Sequence, residues 1–110
     1  MKGIPMLKPV TDVTFHDLVR ETTDPVIVMF TGSWCQPCKQ FLPVVEAYAE
    51  TVKGDITIFT ADIEETDQFA SDLNIRTVPS LALFSDGMVR DILTGTHSRN
   101  GIHLWVQDSI

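Results

Sequence analysis

The sequence lacks the long apolar segments that are typical of membrane-spanning helices and secretory signal peptides. Its longest unbroken apolar run is Val26–Phe30, whereas a membrane-spanning helix needs about 20 apolar residues. The first residues, Met1–Pro9, contain no apolar stretch of the kind found in a secretory signal peptide. We therefore expect no membrane segment and a cytoplasmic location.

Positive charge is also scarce. The 110 residues include 8 Lys and Arg against 15 Asp and Glu, which gives a net charge of −7. Such a chain repels phosphate backbones, so we expect no nucleic-acid partner. The length suits a single domain, and 44% hydrophobic residues supply a core. We assign residues 1–8 to a loose N-terminal segment and residues 9–110 to the domain.

Cysteine is rare, and its spacing is informative. The chain has two cysteines, Cys35 and Cys38, too few for a disulfide framework or for the four ligands of a structural zinc site. The three histidines show no ligand spacing relative to them: His16, His97 and His103. We expect no metal, and a C-x-x-C pair in a chain of this type indicates redox chemistry.

Apolar runs alternate with helical patterns along the chain. Four β-rich segments stand out, and they are Val26–Thr31, Ile56–Asp62, Leu81–Phe84 and Met88–Thr94. Asp86-Gly87 is a strong hairpin sequence between the last two. The alternation predicts an α/β fold, in which a central mixed sheet is flanked by helices on both faces. A short extra strand near Val10 is a further possibility.

Three helices have recognisable ends or faces. Thr14 and Asp17 have the spacing of a capping box, which predicts a helix from there to about Glu21. Ser98 can cap the last helix. Between them, one apolar stripe follows helical spacing, formed by Phe41, Val44, Val45, Tyr48, Ala49 and Val52. Another helix is expected over Thr66–Leu73.

The helix that carries the stripe begins at the cysteines. Extending the stripe backwards places Cys38 on the inward face and Cys35 at the helix N-terminus, where unpaired N–H groups favour a thiolate. Pro37 suits the first helical turn. Lys39 adds a nearby cation, and Trp34 offers a flat apolar surface to a client peptide. This arrangement suits attack by Cys35 and resolution by Cys38.

These residues resemble those of the thioredoxin family. The resemblance rests on Trp34-Cys35-Gln36-Pro37-Cys38-Lys39 after a buried strand, on Val78-Pro79-Ser80 before the hairpin, and on Gly95 after it. Order and spacing match from about Val10 to Ile110. The resemblance implies a thioredoxin fold, a monomer, no organic cofactor beyond the cysteine pair, and electrons from a thioredoxin reductase.

The resemblance also assigns a substrate groove. It implies that Pro79 is a cis-proline facing the dithiol and that the backbone of Val78 pairs with an extended client segment. Gly95 would leave room for that client, and Trp34 would contact it. These four residues are the expected substrate-binding set.

At three positions the chain departs from the family pattern. Met29 stands where family members usually carry a buried Asp, Thr60 where they often carry Lys, and Gln36 where they have Gly. We expect these positions, with Pro37 and Lys39, to tune the redox chemistry. The missing Asp matters most, because in the family it is thought to take the proton of the inner thiol.

The sequence therefore predicts a thiol–disulfide oxidoreductase that reduces the disulfides of protein clients. Three alternatives stay open. The first two are a disulfide oxidant or isomerase on the same fold, and a non-catalytic interaction module that needs the fold but not the thiols. Zinc shared between the C-x-x-C pairs of two chains is a third, and it would appear as zinc-dependent dimerisation.

Overall fold

A computed structural model describes residues 7–110 of the chain. The sheet has five strands, β1 (Lys8–Pro9), β2 (Val26–Thr31), β3 (Thr57–Asp62), β4 (Ser80–Ser85) and β5 (Met88–Thr94). Three α-helices follow in chain order, α1 (Gln36–Thr51), α2 (Asp67–Asp72) and α3 (Arg99–Ser109). Most of the expected loose segment, residues 1–6, lies outside the described residues.

The sheet is mixed, as predicted. The strand order is β1-β3-β2-β4-β5, with β3 parallel to β1 and β2, and β4 antiparallel to β2 and β5. β1 confirms the extra strand expected near Val10. The central strand β2 is buried from Val26 to Phe30, which explains why its sequence is continuously apolar rather than alternating.

Alternate side chains of β2 pack into two separate cores. Ile27 and Met29 belong to a cluster with residues of α1 and α3, whereas Val28 and Phe30 pack with Phe69 of α2 and other residues on the opposite face. Helices therefore cover both faces of the sheet, as the sequence predicts. The cysteines belong to the first cluster, on the α1 face.

The first helical segment differs from the prediction. It is a short π-helix, His16–Arg20, and Asp17 lies inside its first turn. The prediction of a capping box is wrong, because the Thr14 hydroxyl accepts a hydrogen bond from the Thr11 N–H at 3.0 Å instead. The side chain thus stabilises the turn before the helix, a local interaction that competes with helix capping.

The predicted hairpin is confirmed, and its turn packs against the π-helix. Asp86 and Gly87 both have positive φ, at 55° and 76°, as a two-residue hairpin loop requires. The Arg20 guanidinium donates to the Gly87 carbonyl at 3.0 Å. A Cβ added at Gly87 would overlap the Arg20 backbone carbonyl. Glycine is therefore required here by both conformation and space.

Gly87→Ala should lower the free energy of unfolding by about 2 kcal/mol, since it adds a backbone overlap to the cost of a left-handed residue. Gly54→Ala is the matched control. Gly54 has a φ of 93°, but nothing lies within 4 Å of an added Cβ, so its cost should be about 1 kcal/mol. Urea denaturation of both variants measures the difference. Equal losses would show that the Arg20 overlap is irrelevant.

Helix α2 is capped from a distant part of the chain. Its own N-cap residue, Thr66, makes no side-chain capping hydrogen bond. The carboxylate of Asp12 accepts from the N–H groups of Gln68 at 3.1 Å and Phe69 at 2.9 Å. These are donors that a helix N-terminus leaves unpaired. The loop after β1 thus holds the start of α2.

Asp12→Ala should destabilise the protein by about 1 kcal/mol, the usual effect of removing a helix cap. Asp12→Asn keeps an acceptor oxygen and should restore part of that loss. Asp24→Ala is a suitable control, since Asp24 is exposed and its carboxylate takes part in none of the hydrogen bonds found among residues 7–110. Thermal unfolding followed by circular dichroism would compare them. An equal fall in Tm for Asp12→Ala and Asp24→Ala would refute the capping role.

The C-terminal helix packs beside the hairpin on the α1 face. Ser98 caps it as predicted, accepting from the Gly101 N–H at 3.0 Å. Trp105 is half-buried, and its indole N–H donates to the Asp91 carboxylate on β5 at 2.8 Å. Within residues 7–110, no helix is long and apolar enough to cross a membrane.

Candidate active site

The two cysteines lie where β2 passes into α1. A tight turn joins them to the strand, closed by the Cys35 N–H, which donates to the Gly32 carbonyl at 3.1 Å. Cys35 is the N-cap of α1, and its sulfur accepts from the Cys38 N–H at 3.2 Å. The two sulfurs form a disulfide, with the Cα atoms 5.3 Å apart. The structure therefore places the C-x-x-C pair at a helix N-terminus, as predicted.

Both cysteines are buried in the disulfide form. The exposed fraction is 4% for Cys35 and 1% for Cys38. Cys38 faces inward as expected, and Cys35 is also buried despite its place at the helix N-terminus. The reason is local, since its sulfur is bonded to Cys38 and also lies 3.8 Å from the Val78 carbonyl oxygen.

The segment before β4 lies against the disulfide. Its Val78–Pro79 peptide bond is cis, and the Val78 carbonyl approaches the Cys35 sulfur as described above. The Pro79 carbonyl accepts from the Gly95 N–H at 2.9 Å, which ties the loop after β5 to the same place. Gly95 has a φ of 87°, and nothing in the described chain lies within 4 Å of an added Cβ. The space beside Gly95 is open.

The remaining predicted residues of the motif form its exposed rim. Trp34 is 65% exposed, and Gln36, Pro37 and Lys39 are also exposed. Pro37 occupies the first turn of α1, where its missing N–H costs no helical hydrogen bond. The apolar face of Trp34 is thus available next to the buried disulfide.

The interior side of the site is apolar on β2. Met29 is fully buried in the cluster that contains both cysteines. It lies beside Thr60 in the parallel register of β2 and β3, so the two side chains are on the same face of the sheet. Thr31, two residues after Met29, shares that face. Thr31 pairs with Asp62 of β3, so β2 and β3 bring the hydroxyls of Thr31 and Thr60 and, at the next pair on this face beyond Met29, the carboxylate of Asp62 to this face.

One buried ionisable group lies further along α1. Burial raises the pKa of the Tyr48 phenol above its usual value, so the phenol stays protonated at neutral pH. Tyr48 belongs to the apolar stripe that packs against the sheet. Tyr48 therefore contributes to packing and takes no part in thiol–disulfide exchange near neutral pH.

Two of the three histidines are bonded to groups other than the cysteines. His97 bonds the Thr94 carbonyl through Nε2 at 2.9 Å, and His16 pairs with Glu21 at 3.1 Å on the surface. Among residues 7–110, no three His, Cys, Asp or Glu side chains are grouped so that they could hold a metal ion.

One further residue of this turn contacts the motif but is not indicated by any pattern in the sequence. Gly32 is buried directly beneath the indole of Trp34: a Cβ added there would lie 2.9 Å from Cε2 and 3.0 Å from Cζ2. The sequence shows a glycine two residues before the tryptophan, but only the side-chain placement reveals the contact.

The assembled geometry suits thiol–disulfide exchange. A disulfide at a helix N-terminus can open to a thiolate that the helix dipole and the Cys38 N–H stabilise. Its partner thiol is one turn away, close enough to re-form the disulfide. The exposed Trp34 and the open space at Gly95 leave one side of the pair available to a client.

Comparisons with known proteins agree with this chemistry. The thioredoxin family model matches residues 6–108. The chain is 32% identical over 105 residues to a thioredoxin of Rickettsia felis, covering 96% of this chain and all of the relative. It is 37% identical over 86 residues to thioredoxin 1 of a Nostoc species, covering 78% of this chain and 80% of the relative. The chain therefore belongs to the thioredoxin family, and it is a thiol–disulfide oxidoreductase that reduces protein disulfides.

Proposed function

We propose that Cys35 is the attacking thiol and Cys38 the resolving thiol. The Cys35 thiolate attacks a client disulfide, forming a mixed disulfide and releasing one client thiolate. Cys38 then loses its proton and attacks the Cys35 sulfur, which forms the intramolecular disulfide and releases the second client thiol. The protein is oxidised by two electrons and the client is reduced by two. The hydrogen bond from the Cys38 N–H to the Cys35 sulfur carries this assignment.

We propose a client groove made of Trp34, Val78, Pro79 and Gly95. Trp34 supplies an exposed apolar face, and the Val78 carbonyl lies 3.8 Å from the Cys35 sulfur. The hydrogen bond from the Gly95 N–H to the Pro79 carbonyl holds the other side of the groove. An extended client segment beside Val78 would bring its disulfide to Cys35.

Resolution in this chain lacks the usual acid, and we propose that a hydroxyl or a water takes its place. The motivating observation is that β2 carries Met29 where an acid is expected, with Thr31 and Thr60 on the same sheet face. A hydroxyl is a much weaker base than a carboxylate, so deprotonation of Cys38 should be slow near neutral pH. Gln36, Pro37 and Lys39 would tune the potential from the exposed side.

The cellular setting follows from the family and is part of the proposal. Protein disulfides are the substrates, a thioredoxin reductase is the electron donor, and the protein acts as a cytoplasmic monomer without a cofactor beyond the cysteine pair. The similarity to thioredoxins along nearly the whole chain supports this setting.

The reduction potential of the Cys35–Cys38 pair tests the direction of electron flow. Equilibration against glutathione or dithiothreitol buffers should give about −270 mV, the value of a reductant. A value of about −180 mV or higher would place the protein with disulfide isomerases and oxidants instead. Insulin reduction driven by dithiothreitol, with a variant carrying both Cys→Ser changes as control, separates catalysis from a purely structural role. Equal rates in the two would support an interaction module.

A further inference from the structure

The turn between β2 and α1 contains Gly32, whose backbone conformation does not require glycine. Of the glycines among residues 7–110, three have positive φ, namely Gly54, Gly87 and Gly95. Gly32 is not among them, so its backbone conformation is open to any residue. A larger side chain here would meet a neighbouring side chain rather than strain the backbone.

The space is taken by the side chain of Trp34. A Cβ at Gly32 would lie 2.9 Å from Cε2, 3.0 Å from Cζ2 and 3.2 Å from Nε1 of the indole. These three atoms lie together on the side of the indole that carries the ring nitrogen. The indole is therefore packed directly on the Gly32 backbone, although Trp34 as a whole remains 65% exposed.

We propose that Gly32 is a positioning residue for client binding, because its missing side chain lets the Trp34 indole lie close against the turn beside Cys35. This inference rests on the proposed contact between Trp34 and the client. An alanine at position 32 would push the far end of the indole outward. Because Trp34 is 65% exposed, its side chain has room to shift, and the fold should tolerate the change.

Gly32 should act on client binding and leave the redox pair unchanged. The three atoms nearest to the added methyl group all belong to the Trp34 indole. The hydrogen bond that closes the turn uses the Gly32 carbonyl, which alanine also has. The expected result is a raised KM for insulin with kcat and the reduction potential unchanged. The rise should be about two- to tenfold, the range that one aromatic contact gives.

The test compares Gly32→Ala with Ser33→Ala, an exposed position in the same turn. All variants carry Trp105→Phe. Because the chain has two tryptophans, this change leaves Trp34 as the only one. Acrylamide quenching then reports the accessibility of the indole, and insulin reduction by dithiothreitol reports KM and kcat. Gly32→Ala should increase both quenching and KM, and Ser33→Ala should change neither.

A double-mutant cycle shows whether Gly32 acts through Trp34. In a Trp34→Ala background, Gly32→Ala should produce no additional rise in KM. A rise that persists there, or a shift in reduction potential, would overturn the inference. So would unchanged quenching in Gly32→Ala. If Trp34→Ala itself leaves KM unchanged, the client role of Trp34 fails and this inference fails with it, whereas the other outcomes leave that role intact.

Discussion

Cys38→Ser should convert the protein into a trap for its clients. With Cys35 left as the sole thiol, attack on a client disulfide still forms the mixed disulfide, but no second thiol remains to resolve it. Incubating the reduced variant with insulin should yield covalent adducts that dithiothreitol removes, whereas the unmodified protein should release its client. Mass spectrometry under non-reducing conditions measures the adduct directly.

Cys35→Ser is the matched control for this trap. Its remaining thiol, Cys38, is 1% exposed and faces the α1 side of the sheet core, so it should form little adduct. It also lacks the position at the helix N-cap that favours a thiolate at Cys35. Equal adduct yields from the two variants, or more from Cys35→Ser, would contradict the assigned order of attack and resolution.

Much of the fold could be predicted because its patterns are local. The continuous apolar run of β2 and the Asp86-Gly87 turn define their elements within a few residues of sequence. The C-x-x-C pair was placed correctly because one helical stripe extends back to Cys38. In each case, residues close in the chain determine the structure, and the sheet assembles around them.

Other features depend on contacts between distant residues or on competing local bonds. Asp12 caps α2 from 56 and 57 residues away, a pairing that no local pattern indicates. The Thr14 hydroxyl could accept from the Asp17 N–H, as in a capping box, or from the Thr11 N–H. It accepts from the Thr11 N–H. The contact of Trp34 with Gly32 depends on the placement of one side chain. The cis Val78–Pro79 bond was expected from the family resemblance alone.

Met29→Asp should destabilise the protein and speed its chemistry at the same time. Met29 is fully buried between Thr60 of β3 and Leu81 of β4. Replacing it removes apolar packing and buries a carboxyl group, which together should lower the free energy of unfolding by about 3 kcal/mol. Met29→Leu keeps the volume and should cost under about 1.5 kcal/mol. Chemical denaturation of the reduced proteins gives both values.

The destabilisation by Met29→Asp should depend on pH. Burial raises the pKa of the introduced carboxyl above that of an unfolded chain. The unfolded state then releases its proton first as pH rises, so the stability deficit grows from about pH 4 upward until the folded form also ionises. Met29→Asn, which cannot ionise, should show the same deficit at every pH. A parallel pH profile for the two variants would show that the carboxyl does not ionise differently on folding.

The same carboxyl should shorten the lifetime of the mixed disulfide. Met29 shares a buried cluster with Cys38, so an ionised side chain there can accept the proton that Cys38 must lose before it attacks the Cys35 sulfur. General bases typically contribute about 100- to 10,000-fold, and a gain toward the lower end of that range is expected because the site is not built around the new group. Stopped-flow measurement of client release compares Met29→Asp with Met29→Asn and the unmodified protein. Equal resolution rates in all three would mean that deprotonation of Cys38 does not limit this step, and that a carboxylate on β2 is unnecessary in this protein.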